Sequence, residues 1–241
     1  MKTGLIDEAR GPGDQPRVQR LAEAEAQGYQ AVWVSVSPGT EPTAGQGLFA
    51  AAYLAERTAS ARVGLRSAPP VGLHPLRLAE DLAVLDIVTG GRLDWAPTDA
   101  ASPECLDVIL RAWRGEPFAH EGEQYAFPEL TCLPPPVQRP HPGLWLGPDH
   151  ARPSAAVAQQ TGRLAQAGSV AASAGPEPDG SGLALVCPLL EAGDWATEVA
   201  QWRERLEPDW LLVWPEAGAG DEALAARTQS LFAERIDDLS A

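Results

Sequence analysis

Residues 74–93, HPLRLAEDLAVLDIVTGGRL, contain in order the features of a helix start, a buried helix face and a helix end. Pro75 suits the first helical turn, where its missing N–H is not needed. One buried face is predicted by leucines at spacings of four and three residues, namely Leu78, Leu82 and Leu85. Gly90-Gly91 supplies the positive φ that ends a helix, and 92–96 is typical of a short strand. The stretch therefore predicts a helix that leads directly into a strand.

The order of residues in this stretch is more specific than its periodicity. It holds His74-Pro75, Arg-Leu-Ala-Glu over 77–80, Leu85-Asp86 and Thr-x-Gly-Arg over 89–92. In this order the residues resemble the signature of the bacterial luciferase-like flavin monooxygenase superfamily. Three later segments resemble it too: Trp-x-Gly-x-Pro over 113–117, acidic-Gly-x-x-Tyr over 121–125 and Pro-Val-Gln-x-Pro-x-Pro over 136–142. The resemblance implies a barrel fold and flavin chemistry.

The charge balance of the chain limits its partners. Asp and Glu number 33 against 18 Lys and Arg, a formal net charge of −15, which repels nucleic acid and anionic membrane surfaces. Cys105, Cys132 and Cys187 are odd in number and far apart, so neither a disulfide framework nor a Cys-x-x-Cys metal site is predicted. No apolar run reaches the length of a signal-peptide core or a bilayer span. We therefore expect a soluble, cytoplasmic protein that binds neither nucleic acid nor membrane.

Strand and helix patterns alternate along the chain. Strands are predicted at 4–7, 31–36, 62–66, 92–96, 144–147, 164–167, 183–189 and 210–214. Besides the helix of 74–93, helices are predicted at 17–27, 48–59, 105–113, 154–162, 195–206 and 224–236. The run 168–182 has no apolar periodicity and is predicted to be a loop where a helix is expected. With the resemblance, this alternation predicts an α/β fold in a single domain over 1–241. The architecture is a shortened, TIM-barrel-like (β/α)8 barrel with at least one helix missing; an open doubly wound sheet is the alternative.

In such a barrel, chemistry belongs at the C-terminal ends of the strands. The resemblance implies that the end of the third strand, at Ser67 and Ala68, packs against the flavin ring; a Pro-rich turn is the alternative interpretation. It also implies that the flavin phosphate docks around Ser154, which follows Pro153 at a predicted helix start where N–H groups and the dipole favour an anion. Arg152 adds a positive charge there. An ordinary helix cap is the competing interpretation of Ser154.

Two departures from the superfamily pattern concern the predicted active site. A typical member has Trp-Val-Ser-Glu-His after its second strand, whereas this chain has Trp-Val-Ser-Val-Ser over 33–37, without the acid or base. The Gly-rich end of the fourth strand is replaced by Asp-Trp-Ala-Pro over 94–97, and we expect Trp95 to occupy part of the ring site. His150, after the fifth predicted barrel strand, is the candidate catalytic acid or base. An exposed loop histidine is the alternative interpretation.

Other motifs indicate structure rather than chemistry. Asp86 and Arg92 flank the end of the signature helix and are interpreted as a structural charge-assisted pair. The segment 218–223 formally matches a dinucleotide-binding fingerprint, but no later strand carries the ribose-binding acid. The four histidines have no metal-site spacing, and the sequence has no Gly-x-Ser-x-Gly elbow. We therefore expect neither a metal site nor a hydrolase.

The resemblance implies a flavin-dependent oxidoreductase or monooxygenase that acts on a small organic substrate. Reduced FMN is the expected cofactor, with the deazaflavin F420 as the alternative, and a flavin reductase is a candidate partner. The second hypothesis is a non-catalytic relative, either a flavin-binding protein or a partner subunit of an active paralogue that needs no flavin of its own. Family members pair through helices of the first barrel quarter, and 17–27 and 48–59 have Ala-rich faces that allow close approach. We therefore expect a homodimer or a heterodimer with a paralogue.

Overall fold

The computed structural model describes residues 1–8, 15–36, 44–69, 72–98, 101–147, 161–166, 182–189 and 195–215. Several sequence predictions lie outside these ranges: residues 154–160 of one helix, the helix at 224–236, residues 168–181 of the loop, and the site residues His150, Arg152 and Ser154. The predictions for these residues stay predictions.

The described strands are β1 Lys2–Glu8, β2 Ala31–Ser35, β3 Arg62–Ser67, β4 Leu93–Pro97, β5 Phe118–Glu121, β6 Ala126–Leu130, β7 Gly143–Leu146, β8 Thr161–Gln166, β9 Leu183–Leu189 and β10 Trp210–Pro215. Eight of them pair in parallel and close into a barrel in the order β1, β2, β3, β4, β7, β8, β9, β10, with β10 returning to β1. β5 and β6 form a separate antiparallel hairpin. The closed parallel sheet confirms the predicted (β/α)8 class over the open doubly wound alternative.

The helices of the described ranges lie where the periodicity predicts them, with ends shifted by a few residues. They are α1 Gln15–Ala24, α2 Ala44–Arg57, α3 Pro75–Val88, α4 Pro103–Ala112 and α5 Trp195–Leu206, with a 3-10 turn at Glu25–Gln27. Along the outside of the sheet, α2 packs between α1 and α3, and α3 packs against α4. That a helix is missing between β8 and β9 stays a prediction, because 167–181 lie outside the described residues.

Side chains alternate between the two faces of each barrel strand. The inward side chains form one apolar cluster, made of Ile6, Ala31, Trp33, Ala96, Ala184, Trp210 and Leu212 with Trp145, Val186 and Trp214 packed against it. The outward side chains of β2 and β3 pack in a second cluster with the helices; examples are Val32, Val34 and Leu65. All residues of β2 are buried, which confirms the prediction of a strand covered on both faces.

Helix α3 has the ends and the buried face that 74–93 predicts. His74 is its N-cap, and the Nδ1 atom accepts a hydrogen bond from the Leu76 N–H at 3.2 Å. The three predicted leucines are buried: Leu78, Leu82 and Leu85. After the helix, Gly90 and Gly91 have φ values of 65° and 80°, which glycine adopts without strain. The role of His74 is therefore to cap a helix.

Asp86 of α3 holds the Pro-rich segment 134–140 and does not pair with Arg92. Its Oδ2 accepts hydrogen bonds from the backbone N–H groups of Val137 and Gln138 at 2.7 and 2.9 Å. Its Oδ1 accepts a third hydrogen bond, from Gln138 Nε2, at 2.7 Å. Two motifs of the resemblance, Leu-Asp and Pro-Val-Gln, are thus joined by direct hydrogen bonds.

Arg92 instead binds groups around the C-terminal end of α2. Its guanidinium donates to the carbonyl oxygens of Ala55, Ala61 and Thr89 at 3.0, 2.7 and 2.8 Å and to Thr58 Oγ1 at 2.9 Å. The predicted Asp86–Arg92 pair is therefore wrong. The reason is that the turn at 90–91 directs Arg92 towards α2, whereas Asp86 faces the Pro-rich segment.

Candidate active site

The C-terminal ends of the barrel strands lie together at one end of the closed sheet, which we call the barrel mouth. Strand alternation directs side chains inward at these strand ends, among them those of Ser35, Arg66, Ala96 and Trp214. Strand β1 ends nearby at Glu8, which is in register with Ser35. In barrels of this class, chemistry is located at this end of the strands.

Trp33 forms the floor of the barrel mouth. Its indole lies so close to Gly64 on the neighbouring strand that a Cβ on Gly64 would overlap the ring. Towards the N-terminal end of the barrel, Arg62 binds Asp94 through Nε–Oδ2 and Nη2–Oδ1 contacts of 2.6 and 2.7 Å. Burial lowers the pKa of Arg62, but the bonds to Asp94 outweigh burial and hold this pKa above its usual value. The barrel interior below the mouth is thus occupied by packed side chains and a compensated ion pair.

Arg66 and Ser35 meet on neighbouring strands at the mouth. The Arg66 Nη1 group donates a hydrogen bond to Ser35 Oγ at 3.3 Å. Ser35 is completely buried, whereas Arg66 is half-buried. Sequence reasoning did not identify Arg66 as a site residue. The available signal was an arginine near the C-terminal end of β3 that directly follows three apolar residues and lies two residues beyond the inward Gly64.

The residue after Ser35 faces away from the mouth. Val36 packs in the helix-facing cluster and is 5% exposed, and its N–H donates to the Arg66 carbonyl at 2.7 Å. The resemblance places a glutamate at this position. The end of β2 therefore offers the hydroxyl of Ser35 to the mouth, and no acid.

Ser67 and Ala68 lie at the C-terminal end of β3, as the sequence predicts. Ser67 is buried and Ala68 is half-buried. The Ser67 carbonyl accepts a hydrogen bond from the Thr98 N–H at 3.1 Å, which ties the ends of β3 and β4 together. Contact of these two residues with a flavin ring stays a prediction.

Trp95 lies on the outward side of β4. It is completely buried in the helix-facing cluster, and its ring centroid is 6.1 Å from that of Trp113 in an edge contact. The inward residue at this level is Ala96. Trp95 therefore does not line the mouth, because strand alternation turns its ring towards the helices.

A second cluster of polar side chains lies outside the barrel, at the β5–β6 hairpin. Glu104 of α4 forms a hydrogen bond with His120 Nε2 at 3.0 Å and accepts two from the backbone N–H groups of Gln124 and Tyr125 at 2.9 and 3.0 Å. The bond from His120, followed by the backbone bonds, holds the pKa of Glu104 below its usual value. The 121–125 motif thus fastens the hairpin to α4.

Two kinds of feature are absent from the described residues. No helix among them is long and apolar enough to cross a bilayer. Within the same ranges, no group of three or more His, Cys, Asp or Glu side chains is arranged to hold a metal ion.

Known proteins share both the sequence motifs and the barrel. Residues 8–96 and 93–167 match the family described as luciferase-like monooxygenase. The oxygenase component of a flavin-dependent trigonelline monooxygenase from Acinetobacter baylyi is 28% identical over 145 residues, which are 51% of this chain and 40% of that protein. The chain thus covers less than half of this curated relative's length.

Two solved structures have the same fold. Monooxygenase RslO1 from Streptomyces bottropensis has a TM-score of 0.73 at 21% identity, with all of both chains covered. The coenzyme F420-dependent tetrahydromethanopterin reductase from Methanopyrus kandleri has a TM-score of 0.60 at 13% identity, over 95% of this chain and 98% of that one. At these identities the likeness establishes the fold and not the reaction. Because the family match extends over well more than half of its residues, the chain belongs to the luciferase-like monooxygenase family.

Proposed function

We propose that this protein is a flavin-dependent oxidoreductase or monooxygenase that acts on a small organic substrate at the barrel mouth. The observation that carries the proposal is the match of residues 8–96 and 93–167 to the luciferase-like monooxygenase family, in a chain whose eight parallel strands close into a barrel. At the mouth, Trp33 and Ala96 are inward residues of β2 and β4, and both are buried. Ligand binding at the C-terminal ends of the strands is the rule for such barrels.

The proposed cofactor is reduced FMN, with F420 as the alternative. A relative is named as flavin-dependent and a solved structure as F420-dependent, which supports this choice of cofactor class. A bound flavin would supply the redox chemistry. Ser67 and Ala68 would hold the ring of a bound flavin, and Trp33 would help to shield it from water. Arg152 and Ser154 are the proposed contacts of its phosphate.

His150 is proposed as the acid or base, since it follows β7 in the sequence and β2 contributes only a hydroxyl to the mouth. Proton transfer by a positioned side chain accelerates a reaction by about 10²–10⁴-fold. A separate flavin reductase is the proposed source of reduced cofactor, because the trigonelline relative is named as an oxygenase component.

Flavin binding tests the proposal directly. Titration of the purified chain with FMN and with F420, followed by visible absorbance, is expected to show saturable binding of one of the two. Once reductase-coupled oxygen uptake is observed, His150→Ala is expected to lower the rate by about 10²-fold, and His120→Ala on the outer hairpin is expected to leave it unchanged. Failure of both cofactors to bind at high micromolar concentration would contradict the proposal and favour the non-catalytic partner subunit.

An apolar surface on α2 and α3 supports the predicted dimer. Phe49 and Tyr53 of α2 are 79% and 37% exposed, and Val84, Ile87 and Val88 of α3 are 47%, 43% and 54% exposed. Exposed apolar side chains grouped on neighbouring helices are typical of surfaces that an oligomer buries. We infer that a second copy of this chain covers this surface.

Charged substitutions on this surface are expected to separate the dimer. The double variant Phe49→Asp with Ile87→Asp should elute as a monomer in size-exclusion chromatography with light scattering, because each carboxylate would be buried without a partner. Leu133→Asp changes an apolar residue that is 62% exposed outside both helices and should leave the dimer intact. A wild-type chain that is monomeric at every concentration would exclude the homodimer and leave the heterodimer with a paralogue.

A further inference from the structure

Arg66 differs in its partners from Arg20, Arg62 and Arg92, which are also buried or half-buried. Arg20 and Arg62 each pair with a buried aspartate, and Arg92 donates to four oxygen atoms. The half-buried guanidinium of Arg66 has one hydrogen bond, to the Ser35 hydroxyl, and no carboxylate partner among the described residues. A charge withdrawn from water without a counter-ion costs free energy. A function that uses the charge of Arg66 would explain why an arginine occupies this position despite that cost.

Strand register places this guanidinium in the layer above the floor of the mouth. Trp33 is in register with Gly64, and Ser35 is in register with Arg66. Residues two apart on a strand share a face, so Ser35 and Arg66 follow the Trp33–Gly64 layer towards the mouth. A guanidinium has five N–H donors, and one Arg66 nitrogen is engaged by Ser35. The mouth thus combines an aromatic floor with a cation that has no further hydrogen-bond partner among the described residues.

We propose that Arg66 and Ser35 form an oxyanion subsite of the barrel mouth, which holds the carboxylate or phosphate of a small molecule with its apolar body against the barrel wall. This inference rests on the proposed function, since it names the chemical class that the same site takes. A planar guanidinium binds such groups through two parallel hydrogen bonds. Because the chain has a net charge of −15, a local cation is needed to hold an anion at this place.

The subsite can be tested by measuring how tightly small molecules bind to the full chain, which needs no catalytic turnover. In isothermal titration calorimetry, benzoate is expected to bind the wild-type protein more tightly than benzamide, which has the same ring and no charge. Arg66→Gln is expected to weaken benzoate binding about tenfold or more, since it removes a charged hydrogen-bond donor, and to leave benzamide binding unchanged. Arg114→Gln removes the same charge from an exposed position and should leave both affinities unchanged.

Comparison of FMN with riboflavin identifies the source of the oxyanion. If Arg66→Gln weakens binding of FMN and not of riboflavin, the subsite holds the flavin phosphate. If it weakens benzoate and affects neither flavin, the subsite holds a substrate carboxylate. Both results support the subsite. Arg66-dependent benzoate binding in a protein that binds no flavin would support the subsite and contradict the proposed function.

Two results would overturn the subsite. The first is equal benzoate affinity in the wild-type protein and in Arg66→Gln; the second is a wild-type protein that binds neither benzoate, phenyl phosphate nor FMN. Thermal unfolding shows whether each variant is folded. If Arg66→Gln does not fold, Arg66→Lys and Ser35→Ala replace it. Lysine lacks the planar guanidinium that gives two parallel hydrogen bonds, and Ser35→Ala removes the hydroxyl. Each variant should weaken benzoate binding and leave benzamide binding unchanged. Unchanged benzoate affinity in both would likewise exclude the subsite.

Discussion

Asp86→Ala is expected to lower the free energy of unfolding by about 3–5 kcal/mol, because it removes a fully buried acceptor from three N–H donors at once. The donors belong to Val137 and Gln138, in a segment 51 and 52 residues further along the chain. Without the carboxylate, the Pro-rich segment loses its attachment to α3. Urea denaturation followed by circular dichroism measures the loss.

Asp81→Ala is the matched control on the same helix. Its carboxylate is 26% exposed and pairs with the exposed Arg77 at 2.9 Å, and a surface pair of this kind contributes about 0–1 kcal/mol. Asp86→Asn should fall between the two variants, at about 1–2 kcal/mol, because its oxygen serves the backbone N–H groups while its NH₂ faces the Gln138 amide. A loss below 1 kcal/mol for Asp86→Ala would show that the segment is held by other contacts.

Gly64→Ala is expected to cost about 3 kcal/mol, at the upper end for overpacked cores. The added Cβ would overlap three carbon atoms of the Trp33 indole, Cδ2, Cε2 and Cε3. The indole is 2% exposed inside a closed barrel, so it cannot swing into solvent as the end of a flexible side chain would. The clash must instead be relieved by movement of β2, β3 or the ring, and chemical denaturation measures its cost.

A compensating substitution isolates the cause of this loss. Trp33→Leu alone should also destabilise the protein, since it leaves a cavity in the barrel. In the double variant the alanine Cβ enters that space, so the combined loss should be smaller than the sum of the single losses by about 1–3 kcal/mol. Additive losses would mean that the glycine is required for another reason, such as its backbone conformation.

The elements of the fold were predictable because their signals are local. Leu78, Leu82 and Leu85 lie within three turns of one helix, and the glycines of 90–91 directly follow it, so neighbouring residues define α3. The same holds for β2, where a run of apolar residues predicted a strand buried on both faces. For the candidate site, the position of two residues in the fold was predictable: Ser67 and Ala68 lie at the C-terminal end of β3 as expected, and their contact with a flavin stays a prediction.

The direction of Trp95 and the partner of Asp86 could not be predicted from the sequence, for the same reason. All residues of β4 are buried, so their composition did not show which of Trp95 and Ala96 faces inward, and Trp95 faces the helices. Asp86 had several candidate partners of positive charge. The nearest of them in sequence is Arg92, and the turn at 90–91 directs its side chain away from Asp86. In both cases the contacts depend on where a side chain is directed in the folded chain, which a sequence pattern does not show.

By itself, the sequence determined the order of strands and helices, the helix of 74–93 with its ends, and the family resemblance, because hydrophobic periodicity and turn residues act over short distances. The tertiary structure alone decided which side chains meet. The pairing of β2 with β3 brings Ser35 against Arg66, 31 residues apart, and the packing of the segment 134–140 on α3 brings Asp86 against Gln138, 52 residues apart. Register sets the first pair, because a shift of one residue exchanges every inward side chain with an outward one. The cation at the mouth is therefore a property of the folded sheet, in which Arg62 of β3 is compensated by Asp94 and Arg66 has no carboxylate partner among the described residues.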